Sequence, residues 1–128
     1  MPESSPLRVA IVDDDPSYGR AMARLLRASG METRVFASAE GYLSSGGEGQ
    51  MDCLLLDVQL GGMSGLDLQR WLASAGSGTA VVFISGQADA EIAAKAAEAG
   101  CRFVPKSDPG EAVLDAIRQA VAGEALPL

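Results

Sequence analysis

Apolar runs and amphipathic segments alternate five times along this chain of 128 residues. Short runs rich in apolar and β-branched residues are typical of strands, and a run that is apolar at successive positions indicates burial on both faces of a parallel sheet. The strand-like runs are Leu7–Val12, Thr33–Phe36, Cys53–Val58, Ala80–Ser85 and Arg102–Val104. The helical patterns are Ser17–Ser29, about Ser38–Leu43, Ser64–Ala75, Ala88–Ala99 and a last helix after Asp108. The pattern is therefore (βα)5.

Local signals predict where two of the helices begin. Asp15 can cap the first helix, because the following Pro16 suits the first helical position. Asp108 is the predicted N-cap of the last helix, with Pro109 at its first position and Glu111 three residues after the cap.

Right-handed crossovers in such an alternation give an open parallel sheet with helices on both faces. Ligands of these folds bind outside the carboxyl ends of the strands. We therefore expect a doubly wound α/β domain over residues 7–122. Residues 1–6 are expected to form a disordered N-terminal tail, and residues 123–128 are expected to form a C-terminal tail or the start of an interdomain linker.

The composition excludes several classes of function. The net charge is -7 and there is no sustained basic patch, so direct contact of this domain with nucleic acid or anionic lipid is not expected. No apolar run approaches the roughly 18 residues of a membrane span. The absence of histidine excludes histidine-based catalysis, and the two separate cysteines form no cysteine–histidine metal cluster. Cys53 and Cys101 are predicted to be buried thiols, and we expect a cytoplasmic protein.

The predicted fold brings polar groups from four strand ends to one edge. These groups are Asp13, Asp14, Asp57, Ser85 and Lys106. Clustered carboxylates suit a hard cation such as Mg2+. A lysine and a hydroxyl beside that cation can hold phosphoryl oxygens, and a carboxylate that faces both is arranged to form an aspartyl phosphate.

Four motifs at these strand ends resemble the receiver domains of bacterial two-component response regulators. They are V-D-D-D-P at 12–16, L-L-L-D-V-Q-L-G-G-M-S-G at 54–65, F-I-S-G at 83–86 and F-V-P-K-S at 103–107. The resemblance spans about Arg8 to Gly123. It implies a flavodoxin-like sheet of order 2-1-3-4-5 and a phosphorylation-controlled signalling switch.

The resemblance also implies a role for each site residue. Asp57 would accept the phosphoryl group from a histidine kinase or a histidine phosphotransfer protein. Mg2+, or Mn2+ in its place, would be held directly by Asp14 and Asp57, by the backbone carbonyl of Gln59, and through water by Asp13.

The remaining roles concern the readout of the phosphoryl group. Ser85 would contact that group and Lys106 would pair with its oxygens, while Ser85 and Phe103 would form the switch. The domain would not be an enzyme beyond assisting its own phosphorylation and dephosphorylation.

The sequence departs from the family pattern at three places. Ser107 stands where a proline with a cis peptide bond commonly follows the lysine, which leaves the resting position of Lys106 open. Gly61 and Gly62 replace a proline in the loop after Asp57 and loosen that loop. Phe103 has no hydroxyl, so it cannot make a hydrogen bond that depends on a tyrosine.

Two other functions compete with the switch. A haloacid-dehalogenase-type phosphatase or phosphotransferase needs a second aspartate two residues after its nucleophile, and that position is Gln59. A degenerate receiver would act as a phosphorylation-independent interaction module, and the loss of proline at 107 keeps this alternative open.

The sequence does not identify the output domain or the target of the switch. The V-F-A-S-A-E segment at 35–40 resembles receivers that precede LuxR-type helix-turn-helix domains, so a DNA-binding output domain beyond Leu128 is one expectation. A homodimer through the fourth helix, the fifth strand and the fifth helix is the other.

Overall fold

A computed structural model describes residues 6–46, 50–86 and 90–124 of the chain. Within these ranges the strands are β1 (Arg8–Val12), β2 (Glu32–Phe36), β3 (Cys53–Asp57), β4 (Ala80–Ser85) and β5 (Arg102–Pro105). The helices are α1 (Pro16–Ala28), α2 (Ala39–Ser44), α3 (Gly65–Ser74), α4 (Ala90–Glu98) and α5 (Gly110–Val121). The predicted (βα)5 pattern is confirmed.

The strands form one parallel sheet of order β2-β1-β3-β4-β5. The register aligns the carboxyl ends, since Val12 pairs with Leu56 and Ser85 pairs with Pro105. The doubly wound fold and its strand order are therefore confirmed, and the ends of β1, β3, β4 and β5 lie at one edge.

The continuous apolar run of β3 is explained by two cores on opposite faces of the sheet. Leu55 belongs to the core beneath α1 and α5. Its neighbours Leu54 and Leu56 belong to the core on the other face, which includes buried residues of α2, α3 and α4. Because successive strand residues point to opposite faces, a strand covered on both sides is apolar at every position.

The predicted start of the first helix is confirmed, whereas that of the last is wrong. The Asp15 side chain caps α1 by accepting hydrogen bonds from the backbone N–H groups of Ser17 and Tyr18. At α5 the N-cap is Pro109, with no side-chain cap, and the helix begins at Gly110. Asp108 therefore lies one residue before the N-cap, in the turn after β5, where its N–H donates to the Pro105 carbonyl.

Several smaller expectations also have outcomes. Cys53 and Cys101 are unpaired thiols, the first buried and the second half-buried. None of the helices in the described part of the chain could cross a membrane. The predicted start of the fourth helix at Ala88 lies outside the described residues, as does most of the tails predicted at residues 1–6 and 123–128.

Candidate functional site

Two buried aspartates and one lysine meet at the carboxyl edge of the sheet. Asp13 follows β1 and is 2% exposed, and Asp57 ends β3 and is 4% exposed. The Lys106 Nζ, which enters after β5, lies 2.7 Å from Asp13 Oδ2 and 3.0 Å from Asp57 Oδ2. The lysine therefore bridges both carboxylates, and its resting position, which the sequence left open, is in the site. The Lys106–Ser107 peptide bond is trans.

The other oxygen of each aspartate accepts a backbone hydrogen bond. The Asp15 N–H donates to Asp13 Oδ1 over 2.8 Å. The Gln59 N–H donates to Asp57 Oδ1 over 2.9 Å. Each bond spans two residues, in the manner of an Asx turn. One oxygen of each carboxylate is therefore held by the backbone that immediately follows its own strand, while Lys106 contacts the other oxygen.

A third carboxylate completes an oxygen-rich cluster. Asp14 is exposed, and ligand oxygens of Asp13, Asp14 and Asp57 all lie within 4.8 Å of one another. Three carboxylates against one ammonium leave an excess of negative charge in the cluster. The donor set fits Mg2+, which takes a few carboxylate oxygens and keeps several waters.

Burial and charge shift the pKa values of the central pair. Burial raises the pKa of Asp57, and the hydrogen bonds from Gln59 and Lys106 oppose this only in part. Burial would lower the pKa of Lys106, but hydrogen bonds and charge attraction from Asp13 and Asp57 outweigh it and raise the pKa. The Lys106 ammonium therefore stays charged at neutral pH. The raised pKa of Asp57 means that the pocket stabilises the charged carboxylate poorly, so the pocket favours the arrival of positive charge beside it.

Ser85 lies at the end of β4, beside the end of β3. It is fully buried. Its neighbour Ile84 pairs with Asp57 in the sheet register and accepts a hydrogen bond of 3.0 Å from the N–H of Val58. The fold thus brings Ser85 to the same edge as Asp57, as the sequence predicts.

Phe103 lies on β5 opposite Phe83. It is partly buried and packs against the core that contains Ala96 of α4. It also lines a groove of about 500 Å³ between α4 and α5, whose other walls include Ala93 and Ala97. The ring therefore stands at the boundary between the core and the α4–β5–α5 face.

Gly65 is required where α3 meets the end of β3 at Asp57. Its N–H donates to the Val58 carbonyl over 3.1 Å. A Cβ at this position would overlap the carbonyl oxygen of Asp57. Only a glycine lets the start of α3 approach the end of β3 this closely.

Two residues near the site were not predicted from the sequence to act there. Tyr18 belongs to α1, and its ring lies against the Lys106 ammonium. Glu40 of α2 accepts a hydrogen bond of 2.9 Å from the N–H of Met63, in the loop after Asp57.

Comparison with known proteins agrees with this geometry. Residues 9–118 match the family model described as the response regulator receiver domain. The chain is 41% identical over 114 residues to the response regulator protein TmoT of Ectopseudomonas mendocina, covering 88% of this chain and 52% of that protein. It thus spans about half the length of that relative.

Solved structures give the same result. The response regulator StyR superposes with a TM-score of 0.83 at 36% identity, over 94% of this chain and 61% of that one. A response regulator receiver protein from Burkholderia phymatum superposes with a TM-score of 0.77 at 36% identity, over 95% and 99% of the two chains.

Proposed function

The chain belongs to the response regulator receiver domain family, and from that premise we propose that it is a phosphorylation-controlled switch whose acceptor is Asp57. The phosphodonor is a sensor histidine kinase or a histidine phosphotransfer protein. The observation that carries the proposal is the 3.0 Å contact between Asp57 and Lys106 within the cluster of carboxylates.

In the transfer step an oxygen of the Asp57 carboxylate attacks the phosphorus of a phosphohistidine. The new O–P bond forms as the P–N bond breaks, and the electron pair of that bond goes to the imidazole nitrogen of the donor, which ends protonated. Lys106 moves from the free carboxylate to the phosphoryl oxygens, and Ser85 donates a hydrogen bond to one of them. Asp14, Asp57 and the Gln59 carbonyl would hold Mg2+ directly and Asp13 would hold it through water, and the bound ion would supply further positive charge for those oxygens.

The alternatives are less well supported. A degenerate receiver would not need its acceptor, its lysine and its acidic cluster in one place, yet Lys106 contacts both buried aspartates. For the phosphatase alternative, the residue two positions after the acceptor is Gln59, which cannot act as a general acid or base. The switch therefore remains the proposal.

The partners follow from the same premise. We propose a cytoplasmic protein whose signal is read by an output domain beyond Leu128 or by a homodimer through α4, β5 and α5. The relatives support the first of these two forms, because the matched residues cover only 52% and 59% of their lengths.

Phosphorylation by acetyl phosphate tests the central claim. In the presence of Mg2+ the Asp57 oxygen attacks the phosphorus and acetate leaves, so the intact mass should increase by one phosphoryl group. Asp57→Asn should not gain it, while Asp67→Asn, which changes an exposed aspartate of α3, should gain it like the parent. Equal labelling of Asp57→Asn and the parent would place the acceptor elsewhere.

A further inference from the structure

The Lys106 ammonium has a third neighbour besides the two carboxylates, namely the face of the Tyr18 ring. Its Nζ lies 4.6 Å from the centroid of that ring. A cation within about 6 Å of an aromatic face is attracted by the negative charge of the π system. The Lys106 side chain is only 17% exposed, so solvent screens this attraction incompletely.

The position of Tyr18 is tied to that of Asp13. The Tyr18 N–H donates to Asp15 Oδ1 over 3.3 Å, and the Asp15 N–H donates to Asp13 Oδ1 over 2.8 Å. Pro16, at the first position of α1, further restricts this turn. The ring and the Asp13 carboxylate therefore belong to one hydrogen-bonded unit, and both hold the same ammonium.

The aromatic face is the part of Tyr18 that acts on the lysine. The hydroxyl oxygen is buried and has no hydrogen-bond partner in the described part of the chain. Burial raises the pKa of Tyr18 to about 12, so the phenol is neutral at physiological pH. A neutral ring does not accept the strong hydrogen bonds that the ammonium donates. The attraction between the ring and the ammonium therefore persists when the ammonium donates to a different acceptor.

The segment that carries Lys106 contributes little to its orientation. Ser107, Asp108 and Pro109 are all exposed. The backbone of Lys106 is held by the carbonyl of Ser85, but its side chain extends into the pocket without support from the residues that follow it. The partners within the pocket must therefore determine where the ammonium lies.

We propose that Tyr18 is a positioning residue whose ring holds the Lys106 ammonium at the acceptor site, so that incoming phosphoryl oxygens meet a cation already in place. This inference rests on the proposed role of Asp57 as acceptor. Tyr18, in the first turn of α1, would therefore contribute to phosphorylation as well as to apolar packing.

Three variants distinguish the effect of the Tyr18 ring from the effects of its hydroxyl and of its apolar packing. Tyr18→Phe keeps the aromatic face, while Tyr18→Leu and Tyr18→Met keep an apolar side chain and remove the face. With acetyl phosphate and Mg2+, we expect Tyr18→Phe to be phosphorylated within about twofold of the parent. The other two should be roughly 3- to 30-fold slower, the range expected for loss of a cation–π contact.

A second readout needs no phosphodonor. Protons above an aromatic face are shifted upfield in NMR spectra, so the ε-methylene protons of Lys106 should show this shift in the parent and in Tyr18→Phe. The shift should be absent in Tyr18→Leu and Tyr18→Met. A structural defect elsewhere in the domain would not produce this pattern, and Tyr18→Met carries the comparison if Tyr18→Leu does not fold.

The outcomes separate this inference from the proposed function. Rates for Tyr18→Leu and Tyr18→Met equal to that of the parent would overturn the inference, as would a Tyr18→Phe variant as slow as those two. So would a parent protein that lacks the upfield shift. If the parent shows the shift but accepts no phosphoryl group, the role of Asp57 fails while the contact between Tyr18 and Lys106 stands.

Discussion

The backbone N–H of Lys106 donates a hydrogen bond of 2.8 Å to the carbonyl oxygen of Ser85. The bond joins the ends of β4 and β5, so two residues of the proposed site share one backbone connection. A movement of Ser85 towards a phosphoryl group on Asp57 would therefore be transmitted to Lys106 and to β5, which precedes it and carries Phe103. The first prediction concerns this relay.

Ser85→Ala should still accept a phosphoryl group but lose the conformational response. A hydrogen bond to a charged group contributes about 1.5–3 kcal/mol, enough to shift a two-state equilibrium roughly 10- to 150-fold. Hydrogen exchange over residues 90–106, compared with and without acetyl phosphate, measures the response. Ser74→Ala, at the exposed end of α3, is the matched control. An unchanged response in Ser85→Ala would exclude Ser85 as the relay.

Asp14→Ala should weaken Mg2+ binding by about tenfold or more, because even residues that only support a metal ligand typically contribute that much. Asp14 is the exposed member of the acidic cluster, so its removal should disturb the fold little. Isothermal calorimetry with Mg2+ and with Mn2+ measures the change. Asp115→Ala, an exposed change on α5, should bind like the parent. Unaltered affinity in Asp14→Ala would remove Asp14 from the ligand set.

Gly65→Ala should destabilise the domain by about 1–3 kcal/mol or more, the usual cost of adding atoms to a closely packed site. The added Cβ would overlap the Asp57 carbonyl oxygen, which belongs to a central strand. Urea unfolding measures the free energy change. Gly61→Ala is the control, because a Cβ at 61 meets no atom within 4 Å. Equal stability of the two variants would contradict the close approach of α3 to β3.

The hydrogen bond from the Met63 N–H, in the loop after Asp57, to the Glu40 carboxylate should depend on pH. The hydrogen bond from the Met63 N–H lowers the pKa of Glu40. The bond favours the ionised form, so its contribution is complete above the unfolded-state pKa and is lost as the pH falls through the lower, folded-state pKa. The Met63 amide resonance in NMR spectra should report this acidic transition.

Glu40→Gln should abolish the transition, since the amide side chain does not titrate. Glu98→Gln, on the exposed side of α4, should leave it unchanged. A Met63 resonance that titrates identically in Glu40→Gln would show that another group is responsible.

Much of the fold and of the candidate site follows from local patterns. β3 was predicted within a residue because burial on both faces leaves an unbroken apolar run. Asp13, Asp57 and Lys106 were predicted to meet because parallel strands end at one edge, and their contacts confirm it.

Contacts that depend on the direction of a side chain could not be predicted in this way. Tyr18 satisfies the apolar stripe of α1 whether or not its ring faces a cation. Glu40 and Met63 are separated by 23 residues, and nothing in the pattern of either segment indicates the other. Asp108 has the sequence features of a cap, but it belongs to the turn after β5, and α5 begins one residue later than the pattern predicts.

The packing of α4 affects which substitutions this protein can tolerate during evolution. In the described part of this helix only Ala96 is buried, and an alanine interlocks with few neighbours. Its exposed positions, among them Ala94, Lys95 and Glu98, lie away from features whose loss is costly, so substitutions there should alter stability by no more than about 0.5 kcal/mol. This surface can therefore acquire a new binding preference through successive mutations without loss of the fold or of the proposed phosphorylation of Asp57.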